Sequence, residues 1–548
     1  MKWSSEPGLG RRILLPLVLL LVYLGLNLIF LSRFPFVHSD ESWLGGLSRH
    51  MLAEGDLGVT EPFFDIYDRY PHAIKVLFHI VQMGFIGTLG YSVFTVRLIS
   101  LLFSCAALAA FYRLGMYFFR SGALRFYAVA LLALDIQFIY ASHFARQEIV
   151  LVFFFLLALG RFYRSLSAGN PRRGYIRDLG TGLIIGGAIG FHPNAFVLFL
   201  PLLFLYLLYF FRGRRKRLLQ IAMFLLPVAA GAALFVGLSY LFDPGFIGNY
   251  LSYGRTYGVD ASMGNKVVQL GGYYYKLFYR VSGTYYLPEI KGQLILFGLV
   301  IAASAGIYVF SKSAARGCGG EGRGGPARFL DLAGIVAALN IGLLIIGKYN
   351  VTNIVFVFPP MILLTGVVLS RAAAPPASDS RRRRFVPPAV MVILLSATLA
   401  SSMLQILPWT SRDHYGDYLE GIAESVLPGA RVLANLNADF YFEDGRLRDY
   451  RNLAFLPEKG ISFSEYIRGR DIEYVIYPDE MDYIYNHRPI WNILYGNVWF
   501  YYEEMNRFLR EECTLIDEFE APIYGMRIVR YIGVEDWKVR IYRVNPPR

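Results

Sequence analysis

The sequence reads as a polytopic α-helical membrane protein with about eleven transmembrane helices and a C-terminal soluble α/β domain. Three observations carry this reading. Of its 548 residues, 55% are hydrophobic and only 17% charged, and apolar runs recur at the ~20-residue length that crosses a hydrocarbon core. Basic residues gather in short loops between those runs, all assignable to one side. From about residue 408 onward the apolar stretches shrink to strand length and acidic residues become frequent.

The first span, 12–31, follows Arg11-Arg12 and has no small-residue cleavage site, so it is expected to remain as an anchor that exits on the non-cytoplasmic side. Residues 73–89 are apolar but interrupted by Lys75, His79, Gln82, Gly84 and Gly87. If they crossed, every later basic loop would turn outward; they are therefore read as an amphipathic surface helix in an outer segment, 33–93. Spans follow at 94–118, 124–142, 149–163, 179–191, 194–211 and 218–241, then at 292–310, 330–347, 353–370 and 386–407. This register puts Arg120 and Arg125, Arg161 to Arg177, Arg212 to Arg217, Lys312 to Arg323 and Arg381 to Arg384 inside. The C-terminus then lies outside.

The segment 242–291 is an outer loop rich in tyrosine, with Arg255, Lys276 and Arg280 interleaved. It reads as an interfacial aromatic belt or as a flap over a substrate. In the C-terminal domain, 408–548, the runs at 431–434 and 473–477 predict strands, and 415–427 and 499–511 predict helices.

The net charge of +13 follows the topology, and no nucleic-acid motif accompanies it. Cys105, Cys318 and Cys513 fall in a span, an inner loop and the exported domain, so no intrachain disulfide is expected. The Gly-rich stretch 317–325 lacks the Lys-Ser/Thr of a phosphate loop. Asn350-Val351-Thr352 hugs a span end and reads as a chance sequon.

Asp40-Glu41, in the loop just beyond the first span, is the most informative pair. One reading is helix-start chemistry, with Ser39 as N-cap and both acids in the first turn of a helix running to about Ala53. The other is catalytic: carboxylates at the edge of a bilayer can take a proton from a hydroxyl or hold a metal. Glu148 opens the fourth span directly after Arg146, and His192-Pro193 forms the next outer turn. Asp40, Glu148 and His192 thus sit at the same depth and can face one pocket. Lys348, at the outer end of the ninth span, is a cation at phosphate depth. Asp135, inside the third span, is an intramembrane acid without an assigned role.

This layout resembles the glycosyltransferase-C superfamily. The resemblance rests on the Asp-Glu pair after the first span, the Arg146-Gln147-Glu148 turn after the third, and the phrase Gly90-Tyr91-Ser92-Val93-Phe94-Thr95-Val96-Arg97-Leu98. It covers about residues 12–370 and is closest in kind to protein O-mannosyltransferases, aminoarabinose transferases and bacterial lipopolysaccharide glycosyltransferases. Three positions depart from it. Arg69-Tyr70-Pro71-His72 stands for the usual basic-Pro-Pro stretch, Glu148 for a common Asp, and His192 for a common Lys.

The resemblance implies a glycosyltransferase in a bacterial cytoplasmic (inner) membrane, with its C-terminal domain in the periplasm. It would move a sugar, with inversion, from a polyprenyl-phosphate donor to an envelope glycan, lipid or exported protein. Asp40 would be the general base, and Glu41 and Glu148 would orient hydroxyls. A divalent metal ion, if one is used, would lie between Asp40 and Glu148. Arg146, His192, Arg255 and Lys348 would bind substrate and lipid phosphate. The alternative is a transporter of a lipid-linked substrate, which would need polar groups near the midplane, where Asp135 lies.

Overall fold

The computed structural model describes residues 9–119, 121–167, 170–212, 217–256, 262–281, 283–315, 325–346, 349–372, 382–491 and 493–547. Helix α1 (Leu9–Ile29) leads into α2 (Ser39–Glu54) and α3 (Val76–Leu89), which belong to the segment between the first two spans. His38, not Ser39, caps α2. Its ring accepts the Asp40 N–H (3.0 Å), while the Glu41 carboxylate reaches back to the His38 N–H (3.0 Å). Gly55, at φ 65°, ends the helix where a side chain would be strained. With 14 residues α3 is too short to span, and it packs against α2 and α4 (Val93–Gly115).

The expected span 124–142 is two helices, α5 (Gly122–Ala133) and α6 (Ile136–Ser142), bent by 64°. Asp135 makes the break. One carboxylate oxygen accepts the N–H groups of Gln137 (2.9 Å) and Phe138 (3.3 Å), and the other accepts from the Gln293 amide (3.1 Å). An acid that looked expensive inside a span is a helix cap whose two oxygens are both bonded.

Next come α7 (Glu148–Leu166), α8 (Pro171–Ile189), α9 (Ala195–Phe211) and α10 (Leu218–Phe242). The segment 242–291 is not one loop; it holds α11 (Phe246–Thr256) and α12 (Met263–Tyr279). After α13 (Lys291–Ala315) and α14 (Gly325–Ile346), a 3₁₀ turn (Val351–Phe356) runs into α15 (Phe358–Ala372), and α16 (Arg382–Thr410) completes the bundle.

Among the described residues six helices are long and apolar enough to cross a membrane, or seven if the bent pair counts as one span. Leu14–Ile29, Ala195–Phe211 and Lys291–Gly306 are apolar but shorter, and α8 begins with Arg172, Arg173 and Arg177. Every expected span is helical, but not every one has spanning length. Much of the basic sequence assigned inside, including Arg120, Arg214 to Lys216, Arg316, Arg323 and Arg381, lies outside the described residues, as does Cys318. Cys105 and Cys513 are free thiols.

After α17 (His414–Ala423), five strands form one mixed sheet: β1 (Val432–Ala434), β2 (Leu447–Asp449), β3 (Tyr474–Pro478), β4 (Cys513–Glu520) and β5 (Lys538–Val544). Their order is β2-β1-β3-β5-β4, with β1 parallel to β2 and β3, and β5 antiparallel to β3 and β4. One set of side chains, including Phe463, Val475, Tyr477 and Phe508, forms a core of its own. Another set, including Tyr415, Ile422, Val432, Ile476 and Ile541, is continuous with the core of the helical bundle. The sheet is therefore docked on the bundle, not tethered to it.

Helix α8, whose end leads into the His192 turn, packs backbone to backbone on α10. A Cβ on Gly186 would stand 2.5 Å from the Pro227 carbonyl oxygen, and one on Gly182 would stand 2.3 Å from that of Phe224. Replacing Gly186 by Val should lower stability by about 1–3 kcal/mol through overpacking, read as a lower Tm of the detergent-solubilised protein.

Candidate active site

The site is built on a buried ion pair. Arg97 of α4 and Glu41 of α2 are fully buried and joined twice, Nε to Oε2 and Nη2 to Oε1, both at 2.7 Å. Glu41 also accepts the Ala145 N–H (3.0 Å), and Arg97 Nη1 donates to the carbonyls of Leu31, Phe34 and Pro35. The pair ties together the end of the first span, the start of α2 and the turn before α7. Glu41 is consumed in this and does not line the cavity described below. One residue of rotation on α2 separates it from Asp40, which does.

Asp40 meets two other chain segments. Its Oδ2 accepts from Arg146 Nη1 (2.6 Å) and from the Tyr285 hydroxyl (2.6 Å), and Arg146 Nη1 also donates to the Tyr285 oxygen (2.8 Å). The other arm of Arg146 reaches Glu148 Oε1 (3.2 Å), which accepts the Thr352 hydroxyl as well (2.7 Å). Asn350 donates to Tyr285 (3.3 Å) and accepts from Thr352. The His38 ring stacks on Tyr285 at 4.3 Å; with Nδ1 accepting from Asp40, a neutral ring carries its proton on Nε2, 2.9 Å from Thr284 Oγ1.

Burial raises the Asp40 carboxyl, but the His38 ring, the Arg146 guanidinium and the Tyr285 hydroxyl outweigh it and hold the group well below the usual carboxylate range. The Tyr285 hydroxyl is pushed up by burial and by the Asp40 charge.

Arg146 stands between the two carboxylates that a divalent metal would have to share. Its guanidinium already contacts both acids, so in this arrangement they do not fit a bridging metal ion. Among the described residues no group of three or more His, Cys, Asp or Glu is placed to hold one.

Asp40 and Arg146 open onto a cavity of about 1260 Å³. His192 also lines it, beside His72, Lys75 and His79. Arg255 is exposed on α11 and is not part of the wall. Lys348 lies outside the described residues, although its neighbour Tyr349 lines the cavity.

The far wall comes from the C-terminal region, through Arg451, Arg488, Trp491, Phe500 and Arg530. Arg451 lies over the Trp43 ring (4.4 Å) and pairs with Asp449 (2.7 Å). Trp43 donates to Glu61 (2.6 Å), which Arg69 grips with two bonds. Burial raises Glu61, but Arg69 overrides it and brings the carboxyl down to about 2. Seven lysines and arginines face the cavity against three carboxylates, a surplus suited to anionic ligands.

No protein-family model and no curated protein matches this chain. Solved structures do. ArnT, the aminoarabinose transferase of Cupriavidus metallidurans, bound to undecaprenyl phosphate, superposes with a TM-score of 0.54 at 15% identity, over 99% of this chain and 100% of that one. The Archaeoglobus fulgidus oligosaccharyltransferase in its apo form gives 0.54 at 12% identity, over 87% of this chain and 71% of its own. AglB of the same organism, with an inhibitory peptide and a dolichol phosphate, gives 0.52 at 13% identity, over 88% and 72%. The chain shares its fold with these two transferases.

Two outcomes test this site. Truncating Arg97 to Ala strands the Glu41 charge in a fully buried setting, a loss of about 3–5 kcal/mol that thermal or denaturant unfolding in detergent will register.

The second concerns acid. Burial lowers the pKa of His38 to about 3, of His72 to about 4 and of His79 to about 3 from an ordinary 6.5. The unfolded chain binds these protons and the folded chain does not, so stability should fall as pH drops below about 6.5 and keep falling to about 4. Melting curves from neutral pH downward will show this.

Proposed function

We propose that this protein is a glycosyltransferase of the bacterial cytoplasmic membrane that takes its sugar from a polyprenyl-phosphate donor. The acceptor is an envelope glycan, a lipid or an exported protein. The reading assigns the cavity and the C-terminal domain (408–548) to the periplasmic side and the catalytic machinery to residues 1–407. The observation that carries it is the contact of Asp40, Arg146 and Tyr285 at the wall of one large cationic cavity, with Glu148 behind them on the other arm of Arg146. The fold shared with ArnT and AglB, solved with undecaprenyl and dolichol phosphate respectively, supports a lipid-phosphate donor.

The reaction is a single displacement with inversion. The acceptor hydroxyl attacks the anomeric carbon while Asp40 takes its proton. The bond from that carbon to the phosphate oxygen breaks, and the electron pair leaves with the lipid phosphate. Cavity cations neutralise the charge that develops there, in a site shielded from bulk water. Glu148 orients hydroxyls, with Thr352 and Arg146 fixing its own position.

In the resting contact Asp40 is a poor base, because Arg146 stabilises its anion. A donor phosphate that draws the guanidinium toward itself returns basicity to Asp40. Loading the donor thereby switches the base on. The transporter alternative loses its motivating residue, since Asp135 serves as the cap of α6.

Asp40→Asn should reduce transfer from a polyprenyl-phosphate sugar by about 10²–10⁴-fold, while the purified protein keeps its melting temperature and still binds donor. Full activity in a folded D40N protein would remove Asp40 from the reaction. An unchanged sugar inventory in the envelope lipids and glycans of a deletion strain, read by mass spectrometry, would remove the transferase reading itself.

A further inference from the structure

The C-terminal domain presents an amphipathic lip at the mouth of the cavity. Ile490, Ile493 and Phe500 are 80%, 45% and 53% exposed. Trp491, Ile493 and Phe500 line the cavity mouth with Arg488 and Arg530. Arg488 lies over the Trp491 ring (5.8 Å) and Arg530 over the Tyr531 ring (5.8 Å). Among the described residues, neither arginine is ion-paired to a carboxylate. Large apolar side chains standing in water beside two arginines that bond no carboxylate are costly in a soluble surface and favourable where headgroups meet acyl chains.

The depth is right for that. A Cβ on Gly283 would meet Trp491 at 3.2 Å and Ile493 at 3.5 Å, and the Val529 N–H donates to the Gly283 carbonyl (3.1 Å). Gly283 sits between α12 and the first residue of α13, Lys291, whose ammonium lies over the Phe278 and Tyr279 rings as an interfacial anchor does. Helix α12 exposes Val267 and Val268 and contributes Val268 and Lys276 to the cavity lining. Apolar residues with a cation beside them thus reach the cavity from the C-terminal domain and from α12 alike.

We infer that this lip, formed by Arg488, Ile490, Trp491, Ile493, Phe500 and Arg530, dips into the adjacent leaflet, its apolar side chains among the acyl chains and its two arginines on anionic phospholipid headgroups. The occupant follows from charge complementarity and from continuity with the bilayer surface that the α12–α13 connection already marks. The cavity then opens directly onto lipid, and the sheet domain is anchored to the membrane through this lip as well as through its chain connection at α16.

The test uses the full-length chain with Cys105, Cys318 and Cys513 replaced by Ser. Ile490→Cys, or Leu427→Cys as an exposed control on the same domain that does not line the cavity, is labelled with an environment-sensitive fluorophore. In phosphatidylglycerol nanodiscs with brominated acyl chains, the label at position 490 should emit to the blue and be quenched several-fold more than the label at 427. Arg488→Gln with Arg530→Gln should bring that quenching down to the level seen in phosphatidylcholine nanodiscs, and excess inorganic phosphate should not change it.

Water-like emission at 490 would overturn the inference. So would a blue shift without quenching, which means that a second copy or another protein covers the lip. Loss of the signal with free phosphate, or an intact phosphatidylglycerol preference in the double variant, would remove the arginines from headgroup binding. No turnover is measured, so the result stands apart from the transferase reading.

Discussion

The geometry of the site depends on one interaction, the doubly bonded Glu41–Arg97 pair. Neither charge has any exposure to water, and such a pair is favourable only when every remaining donor and acceptor is used. Here every nitrogen of the guanidinium and both carboxylate oxygens have partners: the carboxylate also accepts the N–H groups of His38 and Ala145, and the guanidinium donates to three carbonyls at and just past the end of the first span. The pair thereby fixes three strands of chain at one point. Asp40, one residue before Glu41, and Arg146, one residue after Ala145, are brought face to face as a consequence. Of two adjacent acids, one is spent as structure so that the other can be aimed.

A second constraint is that the membrane domain does not complete the cavity alone. The segment between the first two spans is stitched to the sheet domain along its length. Arg49 and Tyr91 meet Asp439, His50 meets Asp444, Asn452 accepts the N–H groups of Asp65, Ile66 and Tyr67, and Asp65 takes Tyr466 and Arg470. Tyr524 accepts the Val37 N–H (2.9 Å), one residue before the His38 cap. Arg451 and Trp43 then form a shared wall. Because apolar packing is continuous between the bundle and one set of sheet residues, the loops and short helices carried by the sheet are held in place as one wall of the cavity.

The parts of this arrangement that are legible in the sequence are those with a local signature. Polar residues at span ends contrast with their apolar surroundings, which singles out Asp40, Arg146, Glu148 and His192. Helix periodicity and short apolar runs locate the bundle and the strands β1 and β3. Other parts depend on partners far along the chain and leave no local trace.

Tyr285 is one tyrosine in a crowded segment, yet it bonds both Asp40 and Arg146. Asn350-Val351-Thr352 has the form of a sequon, but its side chains hold Tyr285 and Glu148. Glu41 looks equivalent to Asp40 until Arg97 is found beside it. Asp135 looks functional because nothing local reveals that the helix breaks there. Helix length is a related case: the bundle holds short, bent and polar-ended helices such as α6 and α8, and among the described residues six or seven helices have the length and composition of a span.

On the proposed reading, the contact between Asp40 and Arg146 sets an order of events. A carboxylate whose anion is stabilised by a guanidinium and a tyrosine hydroxyl cannot pull a proton from an alcohol at neutral pH, so an acceptor that arrives first meets an idle base. The charge that can compete for Arg146 is a phosphate, and the donor carries it. Donor binding therefore has to precede activation of the acceptor. An acid–base pair that is satisfied at rest is thus a poor static catalyst and a good interlock.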